Sequence, residues 1–181
     1  MNPEANTRQQ EAANAILKHF DIKEKIFIKP LKQYALLDGW FIGNGKFGAP
    51  DREIIYKVYV RRNSIDKYPS IMIESNIVQA LRKEWINGLI PFYFNVFPTD
   101  KTRYKNAIIF NLLSRFEDWE QNGYPFKKVL APEYTIGGYG KSIDKDVIYL
   151  DFNKETDLKM FNFYVPPFSN KNFKPTWKPR T

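Results

Sequence analysis

DKTRYKNAIIFNLLSRFEDWEQ, residues Asp100 to Gln121, decides how the rest of the chain is laid out. Read at helical spacing, Tyr104, Ile108, Leu112, Phe116 and Trp119 fall near one stripe, and Ile109 and Leu113 widen it. Asp100 stands where an N-cap belongs and Gly123 where a helix stops. The segment is therefore expected to be the longest helix of the protein. It divides a strand-rich first part from a strand-rich last part.

Upstream, LIPFYFNVFP (Leu89 to Pro98) sets Phe92, Phe94 and Val96 against Tyr93 and Asn95, the two-residue period of a strand. A helix is expected before it, from about Asn76 to Asn87. Ile77, Val78, Leu81 and Trp85 face inward there, and Gly88 sits at the C-terminal cap. YPSIMIES reads as a strand opened by a proline. EIIYKVYVRR (Glu53 to Arg62) places Tyr56, Val58 and Val60 on one face and Ile55, Lys57, Tyr59 and Arg61 on the other. LLDGWFIGNGKFGAPD (Leu36 to Asp51) holds four glycines and a proline, so it is a long loop or a wide hairpin. EKIFIKP is a short strand. Residues 7 to 20 form a first helix, with Thr7 and Gln10 at capping-box spacing and Ala13, Ile16, Leu17 and Phe20 on its apolar face.

Downstream, FKKVLAP, DVIYLDF and LKMFNFYV read as three strands joined by short antiparallel connections. The order is roughly α-β-β-β-α-β-α-β-β-β. This is an α+β domain over residues 1–165: a mixed, largely antiparallel sheet with about three helices packed on one side. Residues 166–181 carry four prolines, four basic residues and no acid, the composition of an extended Pro-rich basic arm.

Composition narrows the chemistry. Of 181 residues, 43% are hydrophobic and 17% aromatic, enough for a packed core, and the formal charge of +8 favours anionic partners. The absence of cysteine excludes disulfides, thiolate metal sites and a cysteine nucleophile. A single histidine, His19, excludes multi-histidine metal motifs; its place late in the first helix suits a residue favoured by the helix dipole. The polar opening MNPEANTRQQ is not a secretion signal, and no apolar run reaches the ~20 residues of a membrane span. A soluble protein made in the cytoplasm is expected. No cofactor and no metal site are expected.

The string TIGGYGKS (Thr135 to Ser142) imitates the end of a phosphate-binding loop. Thr135 stands where that motif needs its first glycine, and the strand-like DVIYLDF follows where a helix must begin. It is expected to be a hairpin tip instead. Metal-dependent nuclease chemistry needs an acid followed by an acid-x-lysine triplet on the next strand. Asp38, Asp51, Glu53, Glu74 and Lys57 are available, but Lys57 lies four residues after Glu53 and the triplet is not formed.

Basic residues interleaved with aromatics remain. Lys57, Arg61, Arg62 and Lys67 accompany Tyr56 and Tyr59, a pattern that can track nucleic acid. The arm places Phe168, Phe173 and Trp177 among Lys171, Lys174, Lys178 and Arg180. Each ring can bury about 150 Å², so contact with a neighbouring subunit is expected there.

The succession of an N-terminal helix, the basic strand, YPSIMIES, a helix, PFYFNVFP and the closing DVIYLDF resembles the tail-terminator and tail-completion proteins of bacteriophages. That resemblance implies a small α+β subunit without enzymatic activity, forming a homo-oligomeric ring at the head-tail junction or tail end. It implies a virion protein, assembled in the host cytoplasm beside neighbouring virion proteins. Inter-subunit contacts are then expected from Trp40 and Phe47 in the glycine loop and from Phe168, Phe173, Trp177 and Arg180 in the arm. Arg61, Arg62 and Lys67 are expected to face DNA phosphates without reading sequence. The alternative is a basic nucleic-acid-binding protein or divergent metal-dependent nuclease using Asp38, Asp51, Glu53 and Lys57.

Overall fold

The structure, a computed structural model, describes residues 3–27, 36–61, 69–98, 104–134, 139–152 and 158–164. In chain order the elements are α1 (Pro3–His19), β1 (Lys25–Phe27), β2 (Gly39–Ile42), β3 (Glu53–Val60), β4 (Ser70–Glu74), α2 (Ser75–Ile86), β5 (Ile90–Pro98), β6 (Tyr104–Asn111), α3 (Leu113–Asn122), β7 (Lys127–Tyr134), β8 (Tyr139–Asp151) and β9 (Leu158–Tyr164). The domain is α+β. A mixed six-stranded sheet runs β1-β2-β3-β5-β6-β9, and a second, three-stranded antiparallel sheet runs β4-β8-β7.

The long helix expected over Asp100 to Gln121 is a strand followed by a shorter helix. Strand β6 lies inside the large sheet, antiparallel to β5 and β9. Ala107 and Ile109 are buried on one face, Ile108 and Phe110 on the other. A four-residue apolar run at the centre of a sheet fits a helical stripe as well as a strand, and the partner strands decide between them. Asn111 ends the strand, its Oδ1 accepting the Leu113 N–H at 3.1 Å as α3 begins. Gly123 ends α3 as expected, its N–H donating to the Trp119 carbonyl at 2.9 Å.

Strand β3 is central and buried along most of its length. It pairs antiparallel with β2 and parallel with β5, so β4 and α2 form the crossover between the parallel pair. The expected alternation holds in both strands. Tyr56, Val58, Phe92, Phe94 and Val96 join Ala13, Ile16 and Leu17 of α1 on one face. Ile55, Tyr59 and Tyr93 join α2, α3 and the small sheet on the other. Helices thus cover both faces of the large sheet, not one side as expected. Helix α1 also starts at Pro3, ahead of the Thr7–Gln10 spacing expected to cap it, with proline in the first turn where its missing N–H costs nothing.

The glycine-rich stretch is a wide hairpin: β2 pairs with β3 and the loop 43–52 folds inward. Asn44 Oδ1 accepts the N–H groups of Lys46 and Phe47 at 3.1 and 3.0 Å, and its amide donates to the Phe20 carbonyl at 2.8 Å. Phe47 is thereby driven into the core, stacked on Phe20 at 4.3 Å and Phe41 at 5.2 Å. The next residue, Gly48, has φ +77, and a Cβ there would lie 2.0 Å from Ile54 Cδ1, so only glycine fits.

Among the closing strands, β7 and β8 form the expected hairpin, with Lys141 and Ser142 of TIGGYGKS inside β8. No helix opens at that lysine and serine, which removes the phosphate-loop geometry. Strand β9 does not extend the hairpin. It crosses to the large sheet and pairs with β6. The expected arm, residues 166–181, lies outside the described residues. No helix among the described residues is long and apolar enough to cross a membrane.

Candidate functional site

The charged residues that the sequence places on β3 converge where the large sheet meets β4. The residue before β2 is Asp38, and its N–H donates to the Tyr56 carbonyl at 3.0 Å, extending the β2–β3 ladder. That bond fixes the carboxylate beside β3. Its Oδ2 accepts the Val58 N–H at 2.6 Å, and Lys57 Nζ stands 3.2 Å away. Both residues are buried, Asp38 at 9% exposure and Lys57 at 2%. Burial pushes the Asp38 carboxyl above the usual carboxylate range, opposed by the Lys57 charge and the Val58 hydrogen bond.

Two residues along the same face, the Tyr59 ring lies 5.8 Å from Lys57 Nζ and 4.9 Å from the Arg61 guanidinium carbon. Arg61 Nε donates to Asn95 Oδ1 at 2.8 Å, and Arg61 Nη2 donates to the Tyr93 hydroxyl at 3.1 Å. The Tyr93 hydroxyl in turn donates to the Met72 carbonyl of β4 at 3.3 Å. Burial, the largest cause, pushes the Tyr93 phenol up to about 12, and it raises Tyr59 well above its ordinary value. On the small sheet, Lys145 Nζ of β8 lies 3.2 Å from Glu74 at the end of β4.

Asp38 faces Lys57 and Glu74 faces Lys145, while Arg61 is held by neutral oxygens. Chemically the arrangement ties two sheets together. Among the described residues no group of three or more acidic or histidine side chains is placed to hold a metal ion.

The four residues of the nuclease alternative divide. Asp38 and Lys57 touch. Asp51 is exposed in the loop turn, and Glu53 opens β3 on the Lys57 face but four residues away, roughly 13 Å along a strand. Of the residues expected to meet a neighbouring subunit, Phe47 is corrected: it is 0% exposed in this chain's own core, because the Asn44 turn directs it inward. Trp40 is half-buried and packs on the core beneath the small sheet. Arg61, expected to face DNA, is half-buried, and its Nε and Nη2 donate to Asn95, Tyr93 and, at 3.5 Å, the Met72 carbonyl. Arg62, Lys67, Phe168, Phe173, Trp177 and Arg180 lie outside the described residues. His19 ends α1 as expected and stacks on Phe161 at 5.2 Å.

Sequence reading missed Tyr93, Asn95 and the Glu74–Lys145 pair as members of this network. Asn95 carried a signal, a lone amide inside the apolar run of β5. The other partners depend on β3–β5 pairing and on the β4–β8 ladder, which no local pattern announces.

Comparison of the chain with models of protein families, with curated proteins and with solved structures finds no match.

Proposed function

We propose that this chain is a non-enzymatic structural protein that assembles head to tail into a homo-oligomeric ring at the head-tail junction or tail end of a virion. The observation that carries the assembly reading is the large sheet, which ends on two unlike strands. Among the described residues, β1 is paired only with β2, and β9 only with β6. A ring needs two different surfaces that meet head to tail, and unlike sheet edges are such surfaces. Residues 166–181, with Phe168, Phe173, Trp177 and Arg180, follow β9 in sequence and are expected to contribute to the contact between subunits.

The virion assignment draws on the resemblance in element order, and the charge of +8 suits a channel through which DNA passes. The non-enzymatic reading is favoured over the nuclease alternative because Asp38, its best-placed acid, already holds Lys57 and the Val58 N–H.

Native mass spectrometry over a range of protein concentrations tests the ring. One closed assembly of constant subunit number is expected. A chain that stays monomeric at every concentration overturns the assembly reading. Deletion of residues 166–181 is expected to weaken assembly, and unchanged assembly removes the role given to the arm. Magnesium-dependent DNA cleavage abolished by Glu53→Gln overturns the non-enzymatic reading.

A further inference from the structure

The small sheet has two outer strands, and they are treated differently. The β4 edge is covered, because Arg61 and Tyr93 donate to the Met72 carbonyl. The β7 edge is open among the described residues. Strand β4 pairs only with the Val147–Asp151 end of β8, so the rest of the β7–β8 hairpin runs past it as a two-stranded ribbon. Two-stranded ribbons are marginal in water and gain from a further strand. At the middle of β7, Leu130 is 73% exposed, the most exposed large hydrophobic residue described.

The charges on β7 are arranged to suit one partner. Lys127 and Glu133 are exposed and lie three residues on either side of Leu130. In an antiparallel pairing of β7 with itself, centred on Leu130, Leu130 meets Leu130 of the second copy. Lys127 then faces Glu133 of the second copy, and Glu133 faces Lys127, so both ends of the contact pair opposite charges. Any pairing shifted off this centre loses both of these matches. Pro132 has no N–H and inside a strand belongs with its nitrogen toward the open side. Lys128 and Leu130, at the same alternation, then turn their N–H groups outward. The proline withholds its own donor but accepts through its carbonyl from Lys128 of the second copy.

We propose that the β7 edge is a two-fold contact between copies of this chain, joining two β4-β8-β7 sheets into one through Leu130, Lys127 and Glu133. It goes beyond the head-to-tail ring, since a two-fold contact joins like surfaces and a ring contact joins unlike ones.

The natural chain has no cysteine, so Leu130→Cys supplies a single thiol. Residues across a hydrogen-bonded antiparallel pair lie about 5.5 Å apart between Cα atoms, within disulfide reach. With an added oxidant, the Leu130→Cys chain is expected to convert to covalent dimer at least tenfold faster than Tyr149→Cys, an exposed position on β8. Adding Lys127→Glu is expected to slow cross-linking, and adding Glu133→Lys to that chain to restore it. Equal rates at positions 130 and 149, or no recovery in the charge-swapped chain, overturns the proposal. Failure of the ring reading looks different: dimers of two chains with fast cross-linking keep this contact and remove the ring, whereas rings without cross-linking do the reverse.

Discussion

Lys57 and Asp38 face each other across 3.2 Å on adjacent strands, both almost wholly out of water. Removing one member strands the other in the low-dielectric interior. Asp38→Ala is expected to cost about 3–5 kcal/mol of unfolding free energy, as for other broken buried pairs. The double variant Asp38→Asn with Lys57→Met is expected to lose less than the sum of its single variants, with a coupling on the order of 1–3 kcal/mol. Urea unfolding of the four proteins measures both. Additive losses exclude a direct interaction.

The same pair sets a pH dependence. Burial raises the Asp38 carboxyl in the folded chain, so the native state keeps this proton at a pH where the unfolded chain has released it. Its contribution is fully present below the unfolded value, about 4, and is lost as pH rises through the folded value. The stability of the natural chain relative to Asp38→Asn is therefore expected to fall as pH rises across that window. Unfolding both chains at a series of pH values checks the sign, and a relative stability that rises with pH contradicts it.

Arg61 joins β3, β5 and β4 through Asn95, Tyr93 and the Met72 carbonyl. Hydrogen bonds to a charged group contribute roughly 1.5–3 kcal/mol each, so Arg61→Met is expected to cost at least about 2 kcal/mol. Arg61→Lys is expected to recover little, because a single ammonium cannot reproduce the planar fork that reaches both side chains. Thermal unfolding reads the losses. The salt dependence of any DNA binding is expected to be unchanged in Arg61→Met, since Nε and Nη2 are held by Asn95, Tyr93 and the Met72 carbonyl.

Phe47 is a core residue carried on a loop. Phe47→Ala is expected to cost about 3–5 kcal/mol, the range for emptying a buried aromatic site. Gly48→Ala is expected to destabilise by about 1–3 kcal/mol, through its positive φ and the collision with Ile54. Neither is expected to alter subunit number once folded. An assembly that falls apart in folded Phe47→Ala would return this ring to the interface.

Much of the fold is legible in local pattern. The two-residue period of Glu53–Val60 and Ile90–Pro98 names two strands and sorts their residues correctly between the two faces. Gly88, at φ +94 with its N–H on the Trp85 carbonyl, ends α2 where a glycine cap is expected. The candidate site was legible only in part. Asp38 and Lys57 could be named as acid and base, but nineteen residues separate them, and their meeting follows from the β2–β3 register.

The chain's own periodicity and turn chemistry determined where most strands run, that no helix opens at Lys141 and Ser142, and that cysteine chemistry is impossible. These depend on backbone preference and side-chain alternation within a few residues. Tertiary structure alone decided that Tyr104–Asn111 is a strand, that Phe47 turns inward, and that Arg61 bonds to both sheets. Each of those choices is set by what lies opposite: β5 and β9 beside β6, Phe20 and Phe41 against Phe47, and Asn95 and Tyr93 beside Arg61. An apolar run or a lone cation has several favourable local arrangements, and only its long-range neighbours make one of them lowest in free energy.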